Sequence, residues 1–202
     1  MSGALPNTDF EAINIKSNQK TLVSETDSGK TFRRQVQGQR WSFTIKYPPM
    51  TRSDFAPIMA FIIKQRSRKE NFTVTFPSYL NALGNETNAI AVNGAHTAGD
   101  TTIALDGFAG DGAGRFKAGD FIKFANHSKV YMIVADVTSS SNAATVTIEP
   151  PITTALSNDE AVTYDSVPFT VYAPNEVQQF RASNSSLGEP LFRYEIDVVE
   201  AV

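Results

Sequence analysis

The sequence predicts a mainly β protein with one short helix, arranged as a discontinuous sheet domain that carries a small inserted barrel. Three observations predict it. Apolar residues recur with period two in both outer sections of the chain. The middle section is a string of short apolar runs separated by turn residues. The sign of the charge changes where that middle section begins and ends.

In chain order, Trp41, Phe43, Ile45 and Tyr47 alternate with Ser42, Thr44 and Lys46. Successive side chains of a strand point to opposite faces, so this spells a strand with one buried and one polar face. Pro48 and Pro49 close it, because proline has no N–H to give to a ladder. A helix follows, with Phe55, Ile58, Met59 and Ile62 at i, i+3, i+4 and i+7 and Ser53 or Asp54 as its cap. Pro57 is then expected in the first turn, where its missing N–H does least harm, and Lys64, Arg66, Arg68 and Lys69 suit the C-terminal dipole. Phe72, Val74 and Phe76 alternate with Thr73 and Thr75 in a second strand that stops at Pro77.

The middle section offers strands at residues 89–92, 101–105, 121–124, 130–134, 144–148 and 161–164. Between them lie Asn93-Gly94, Asp106-Gly107, Gly110-Asp111-Gly112, Asn126-His127-Ser128 and the polar residues 139–142. Many short strands with such turn chemistry argue for a small closed barrel rather than βαβ units. Beyond it, Phe169, Val171 and residues 177–180 add extended pieces. Phe192, Tyr194, Ile196 and Val198 alternate with Arg193, Glu195, Asp197 and Val199 in a last strand.

Charge locates the insertion. Residues 1–86 carry 12 Lys and Arg against 7 Asp and Glu, residues 87–165 carry 4 against 9, and residues 166–202 carry 2 against 5. The middle section also holds seven of the 12 glycines. Domain boundaries are therefore expected near residues 86 and 166, with residues 87–165 set apart from residues 1–86 and 166–202. The net charge of −3 predicts no global attraction to nucleic acid or to an anionic membrane. With no cysteine, disulfides, zinc–thiolate sites and cysteine nucleophiles are excluded. Residues 1–10 show neither a basic nor an apolar leader region, and the longest apolar stretch, residues 56–63, is far below the ~20 residues of a spanning helix, so a soluble protein without classical export is expected.

Catalytic and ligand motifs are scarce. The segment from Gly110 to Arg115 is glycine-rich but spells neither G-x-G-x-x-G nor a P-loop, and reads as a flexible hairpin tip. Asp106, Asp111 and Asp120 miss the calcium-loop spacing and its terminal Glu. His96 and His127 sit in separate turns without a second ligand at metal spacing, and read as surface residues. Asp159 and Glu160 are adjacent, hence on opposite faces of a strand, and Glu195 and Asp197 share a polar face with no apolar pocket to raise an acid's pKa. No catalytic residue, cofactor or metal is therefore expected. The basic residues Lys64, Arg66, Arg68 and Lys69, with Arg33, Arg34 and Arg40, lack the interleaved aromatics of a nucleic-acid patch. They read as a solvated helix end and strand edge, or as a subunit contact for an acidic section.

The segment Arg40-Trp41-Ser42-Phe43-Thr44-Ile45-Lys46-Tyr47-Pro48, the helix behind it and the closing strand over residues 192–199 resemble the first domain of the distal tail proteins of long-tailed bacteriophages (siphophages). Residues 117–124, His127-Ser128-Lys129-Val130-Tyr131 and residues 145–151 resemble the inserted OB-type barrel that one variety of these proteins carries. The resemblance implies a discontinuous β-sandwich-like domain with an inserted OB-like barrel, in a structural protein of the virion tail tip, assembled in the host cytoplasm. It also implies a homo-hexameric ring formed by the first domain, joining the tail tube protein to the hub, baseplate or straight-fibre protein and letting DNA pass, with the barrel on the outside. An alternative implied role is recognition of a host saccharide by the barrel, which requires exposed aromatics; Phe108, Phe116 and Tyr131 are the candidates. An enzyme acting on cell-wall glycan ranks below both.

Overall fold

The computed structural model describes residues 3–6, 8–36, 38–184 and 189–202. The chain begins with β1 (Ala12–Asn18), the hairpin β2 (Thr21–Glu25) and β3 (Thr31–Gln35), and β4 (Arg40–Lys46), then α1 (Arg52–Lys64), a 3₁₀ turn (Ser67–Lys69) and β5 (Phe72–Val74). It continues through β6 (Ile90–Val92), β7 (Thr102–Asp106), β8 (Gly112–Ala113), β9 (Phe121–Phe124), β10 (Val130–Ile133), β11 (Thr138–Ser139), β12 (Ala143–Glu149) and β13 (Ala161–Thr163). It ends with β14 (Phe169–Tyr172), β15 (Arg181–Asn184), β16 (Pro190–Arg193) and β17 (Glu195–Glu200).

Period-two patterning builds the first core. Trp41, Phe43 and Ile45 are buried on one face of β4, while Ser42 and Thr44 are only half-buried on the other. β4 is flanked by β1 and β17 in an antiparallel sheet of order β1-β4-β17-β14-β5, with Phe43 opposite Val198 and Ile45 opposite Ile196. Phe43 meets Phe76 and Phe169 at ring separations of 4.7 and 4.8 Å. The helix lays Phe55, Ile58 and Ile62 against this core, Phe55 stacking on Phe192 at 5.4 Å. The chain leaves this sheet after β5 and returns to it at β14, next to β5.

Between those strands it closes a barrel of order β10-β12-β7-β6-β13-β9, six strands where the common OB-type barrel has five. Ile103, Leu105, Phe116, Phe124, Tyr131 and Val146 are among the side chains that fill it. The expected middle-section strands are all present with ends shifted by at most one residue, because Gly and Asn turns punctuate every one of them.

Several local expectations are corrected. The helix is capped by Thr51, whose Oγ1 accepts from Asp54 N–H at 3.4 Å, so Ser53 and Asp54 lie inside the helix and Pro57 falls in its second turn. The buried face carries the helix through that proline; Met59, expected on it, is partly exposed. Residues 177–180 form no strand: the ladder begins only at Arg181, and Tyr194, which Phe180 packs on, belongs to no β15 pair. The single closing strand is split at Tyr194. Its alternation continues, but the partner changes from β15 to β4 and β14.

The connection into the barrel depends on close backbone packing at Gly84. A Cβ there would lie 2.1 Å from Arg115 O and 2.7 Å from Phe116 Cα. Both obstacles are backbone, so Gly84→Ala is expected to lower unfolding free energy by at least ~2 kcal/mol in urea denaturation. Gly94→Ala, at φ +87° with nothing within 4 Å, is expected to cost only about 1 kcal/mol.

Candidate functional site

Where the barrel meets the sheet, an ion pair is sealed from water. Glu200, the last residue of β17, continues the buried parity of Ile196 and Val198 and so points inward. Lys129, just before β10, points at it from the barrel; both side chains are 0% exposed and Lys129 Nζ donates to Glu200 Oε2 at 2.5 Å. The remaining valences are filled within the same cluster. Glu200 Oε2 also accepts from Trp41 N–H at 3.1 Å, and Oε1 from Val130 N–H at 2.8 Å. Lys129 Nζ donates to Gln39 Oε1 at 2.7 Å, and Trp41 Nε1 donates to Val130 O at 2.9 Å. Trp41 meets Phe121 of β9 edge-on at 5.2 Å, and Phe121 meets Phe169 of the sheet at 5.6 Å. Burial pulls the Lys129 ammonium below its ordinary pKa, and Glu200 pulls it back up through charge and hydrogen bond.

A buried pair is a registration device more than a source of net stability, since desolvation offsets much of its attraction. This one joins the sheet at Gln39, Trp41 and Glu200 to the barrel at Lys129 and Val130 through four of the hydrogen bonds named, the fifth lying within the sheet, so it fixes how the barrel sits. Beside it, His127 Nε2 shares a hydrogen bond with Tyr131 Oη at 2.7 Å, and Tyr131 Oη accepts from Thr153 N–H at 3.1 Å. Burial, then Lys123 and Lys129, hold the His127 imidazole below its ordinary pKa of 6.5.

Apart from His127, which sits beside the seam, most of the residues singled out from sequence lie away from it or serve the backbone. Both histidines are half-buried rather than on the surface, because barrel strands run past their turns; His96 Nε2 accepts from Ala104 N–H at 3.2 Å. The segment from Gly110 to Arg115 is not a free tip: Arg115 ties it down through Ser139 Oγ at 3.1 Å and Gly110 O at 2.8 Å and faces Glu86 at 3.7 Å. Asp120 accepts from Leu83, Gly84 and Lys117 N–H, and Asp111 from Asn142 N–H, so these carboxylates cap turns and do not converge on an ion. Among the described residues no cluster of His, Asp and Glu could hold a metal. Asp197 accepts from Thr44 Oγ1 at 2.7 Å. The basic residues are dispersed: Arg68 donates to Pro174 O behind α1, Arg33 and Arg34 sit on β3, and Arg40 begins β4. Phe108, Phe116 and Tyr131, the aromatics proposed to face a saccharide, are all buried in the barrel core, where their apolar area is needed to fill it. That removes the sequence basis for a saccharide platform.

What the surface offers instead is the β2–β3 hairpin. Among the described residues it pairs with no other strand, and Leu22, Val23 and Phe32 on it are 52%, 63% and 52% exposed. An isolated two-stranded hairpin is marginal in water, and large apolar side chains on one mark a contact with another molecule. Sequence reading missed this element, although Asp27-Ser28-Gly29 between two short β-prone runs is a hairpin signal.

Two outcomes check the seam. Glu200→Ala, which leaves Lys129 buried and unpaired, is expected to lower unfolding free energy by about 3–5 kcal/mol, and adding Lys129→Met to it to recover part of that loss in chemical denaturation. Acid should also act through His127. With the folded pKa depressed, the unfolded chain takes the proton first, so this contribution is full above about pH 6.5 and lost as pH falls toward the folded value. His127→Gln is expected to flatten the fall in melting temperature over that window.

Comparison with known proteins converges on one family. A model described as distal tail protein pb9, A domain, N-terminal, matches residues 3–79, and one described as distal tail protein pb9, B domain, matches residues 79–167. The distal tail protein pb9 of Escherichia phage T5 is 22% identical to the chain over 165 residues, which cover 81% of this chain and 79% of that protein. The second match takes in the whole closed barrel, and the first takes in β1 to β5. The chain, carrying both parts in the same order, belongs to the bacteriophage distal tail proteins of the pb9 kind and is a structural protein of the virion tail.

Proposed function

We propose that this chain forms a homo-hexameric ring at the tail tip, joining the tail tube protein to the hub, baseplate or straight-fibre assembly and leaving a lumen for DNA. In this reading residues 1–86 and 166–202 make the ring, residues 87–165 form the barrel on its outside, and the chain has no catalytic role. The observation that carries it is the β2–β3 hairpin, which pairs with no other strand among the described residues and leaves Leu22, Val23 and Phe32 largely exposed. The chain's chemistry is otherwise spent internally: Lys129 and Glu200 face each other, and Asp111 and Asp120 cap backbone N–H groups. A protein so arranged works through its surfaces, and a ring subunit needs one surface to reach its neighbour. The mild negative net charge also suits a lumen that must let a polyanion slide past.

Light scattering tests this. The protein, or the protein with its tail partners, is expected to reach six times the 22.0 kDa of one chain. Leu22→Ser with Phe32→Ser is expected to abolish that assembly while shifting the melting temperature of the monomer by less than a few degrees. Wild-type protein that stays monomeric with and without its partners, together with a tail lacking the ring, contradicts the proposal.

A further inference from the structure

At the end of the sheet away from the seam, two arginines face each other without a counter-charge. β15 and β16 pair Arg181 directly opposite Arg193. Like charges directly opposite on a ladder repel, and such a pair is expected where an anion neutralises it. Neither arginine forms an ion pair among the described residues. They line an open cleft of about 480 Å³ with Lys46, Tyr47, Gln179 and Tyr194. Lys46 is held by Glu11 at 3.0 Å, and Tyr47 stacks on Tyr194 at 6.2 Å, so the cleft sets an aromatic wall beside the two guanidinium groups. Its one acid, Glu195, stands opposite Lys46 in the ladder.

The complementary charges sit at the tip of the β2–β3 hairpin. The turn is closed by Thr26 N–H to Lys30 O at 3.0 Å and Gly29 N–H to Thr26 O at 2.8 Å, which leaves the carboxylates of Glu25 and Asp27 unpaired among the described residues. Lys30 is turned back over the Phe32 ring at 5.2 Å. Arg33 and Arg34 lie two and three ladder positions behind Glu25, about 7–10 Å away at ~3.4 Å per residue, so the tip itself is acidic. The two features belong to opposite ends of the sheet. β1 pairs Ala12 with Lys46 and Asn18 with Arg40; the hairpin springs from the Asn18 end, and the arginines stand at the Lys46 end.

We infer that the cleft around Arg181 and Arg193 is the receptor for the hairpin tip of a second copy, its guanidinium groups taking the carboxylates of Glu25 and Asp27. This rests on the ring reading and deepens it by naming the contact. Arginine is the cation suited to the task, because its planar fork binds carboxylates in bidentate fashion. A contact between different ends of identical chains is heterologous, the kind that generates a ring when the rotation closes.

The test is a charge exchange read by sedimentation or light scattering, with circular dichroism confirming that each variant is folded. E25R/D27R and R181E/R193E, each alone, are expected to raise the concentration for half-assembly at least tenfold, because like charges then meet at the contact. Mixing the two variants pairs opposite charges at every contact, and is expected to restore assembly to within about threefold of wild type, as is the fourfold variant alone. Folded variants that assemble like wild type, or a mixture no better than its components, overturn the inference while leaving the ring intact. A nucleic acid that competes for the cleft while assembly stays unchanged would assign the arginines to phosphate and also overturn it. Wild-type protein that never self-associates, alone or with its tail partners, overturns the ring reading and this contact together.

Discussion

The Lys129–Glu200 pair is the constraint on which the rest of the structure depends. Two cores built from different stretches of chain have to meet, and apolar contact alone would leave their relative rotation loosely defined. A carboxylate that must accept from Trp41 N–H, Val130 N–H and Lys129 Nζ together has one satisfactory geometry. Leaving any of these groups buried without its partner is costly, so slippage of the barrel over the sheet is penalised more sharply than any loss of apolar area would penalise it. The aromatic bridge from Trp41 through Phe121 to Phe169 then makes the seam part of the sheet's own core.

A rigid seam changes what the surfaces can do. The hairpin and the arginine cleft both belong to the sheet domain, and the seam fixes the barrel to that same body, so all three hold constant positions relative to one another. Repetition of one contact then sets one rotation per copy, which a closed ring requires. A loosely tethered barrel would leave contacts between sheet domains as they are and would scatter only the barrels. The chain spends its buried polar groups on internal geometry and leaves its exposed apolar and unpaired charged groups for other molecules. That division is what a tail structural protein needs, and it explains the poverty of catalytic motifs.

Much of the fold was legible because period-two alternation and turn chemistry are local signals. Phe121, Val130 and Val162 begin or anchor barrel strands where the alternation places them, and Gly107 and Asn93 mark turns between them. The helix was legible by its face, but its cap was not, since Thr51, Ser53 and Asp54 are all capping residues and only the backbone path selects Thr51. The closing alternation reads as one strand because side-chain parity survives a change of hydrogen-bond partner at Tyr194, which sequence does not record. The seam was the least legible feature. Glu200 lies on the buried parity of β17, and that mismatch was the one available signal; nothing local to Lys129 announces its partner 71 residues away. The exposed hairpin escaped notice for the opposite reason, since without a core face its alternation carries little contrast.

Native-state hydrogen exchange at the Trp41 and Val130 amides measures the central claim most directly, because both N–H groups donate to the Glu200 carboxylate, Val130 across the seam from the barrel and Trp41 from the sheet side. If barrel and sheet are one sealed body, both amides exchange only with global unfolding, with the same opening free energy as core amides on either side, such as Phe43 and Val146. Rapid exchange at Trp41 and Val130, or a barrel that opens at lower free energy than the sheet, would show two loosely joined bodies and contradict the account.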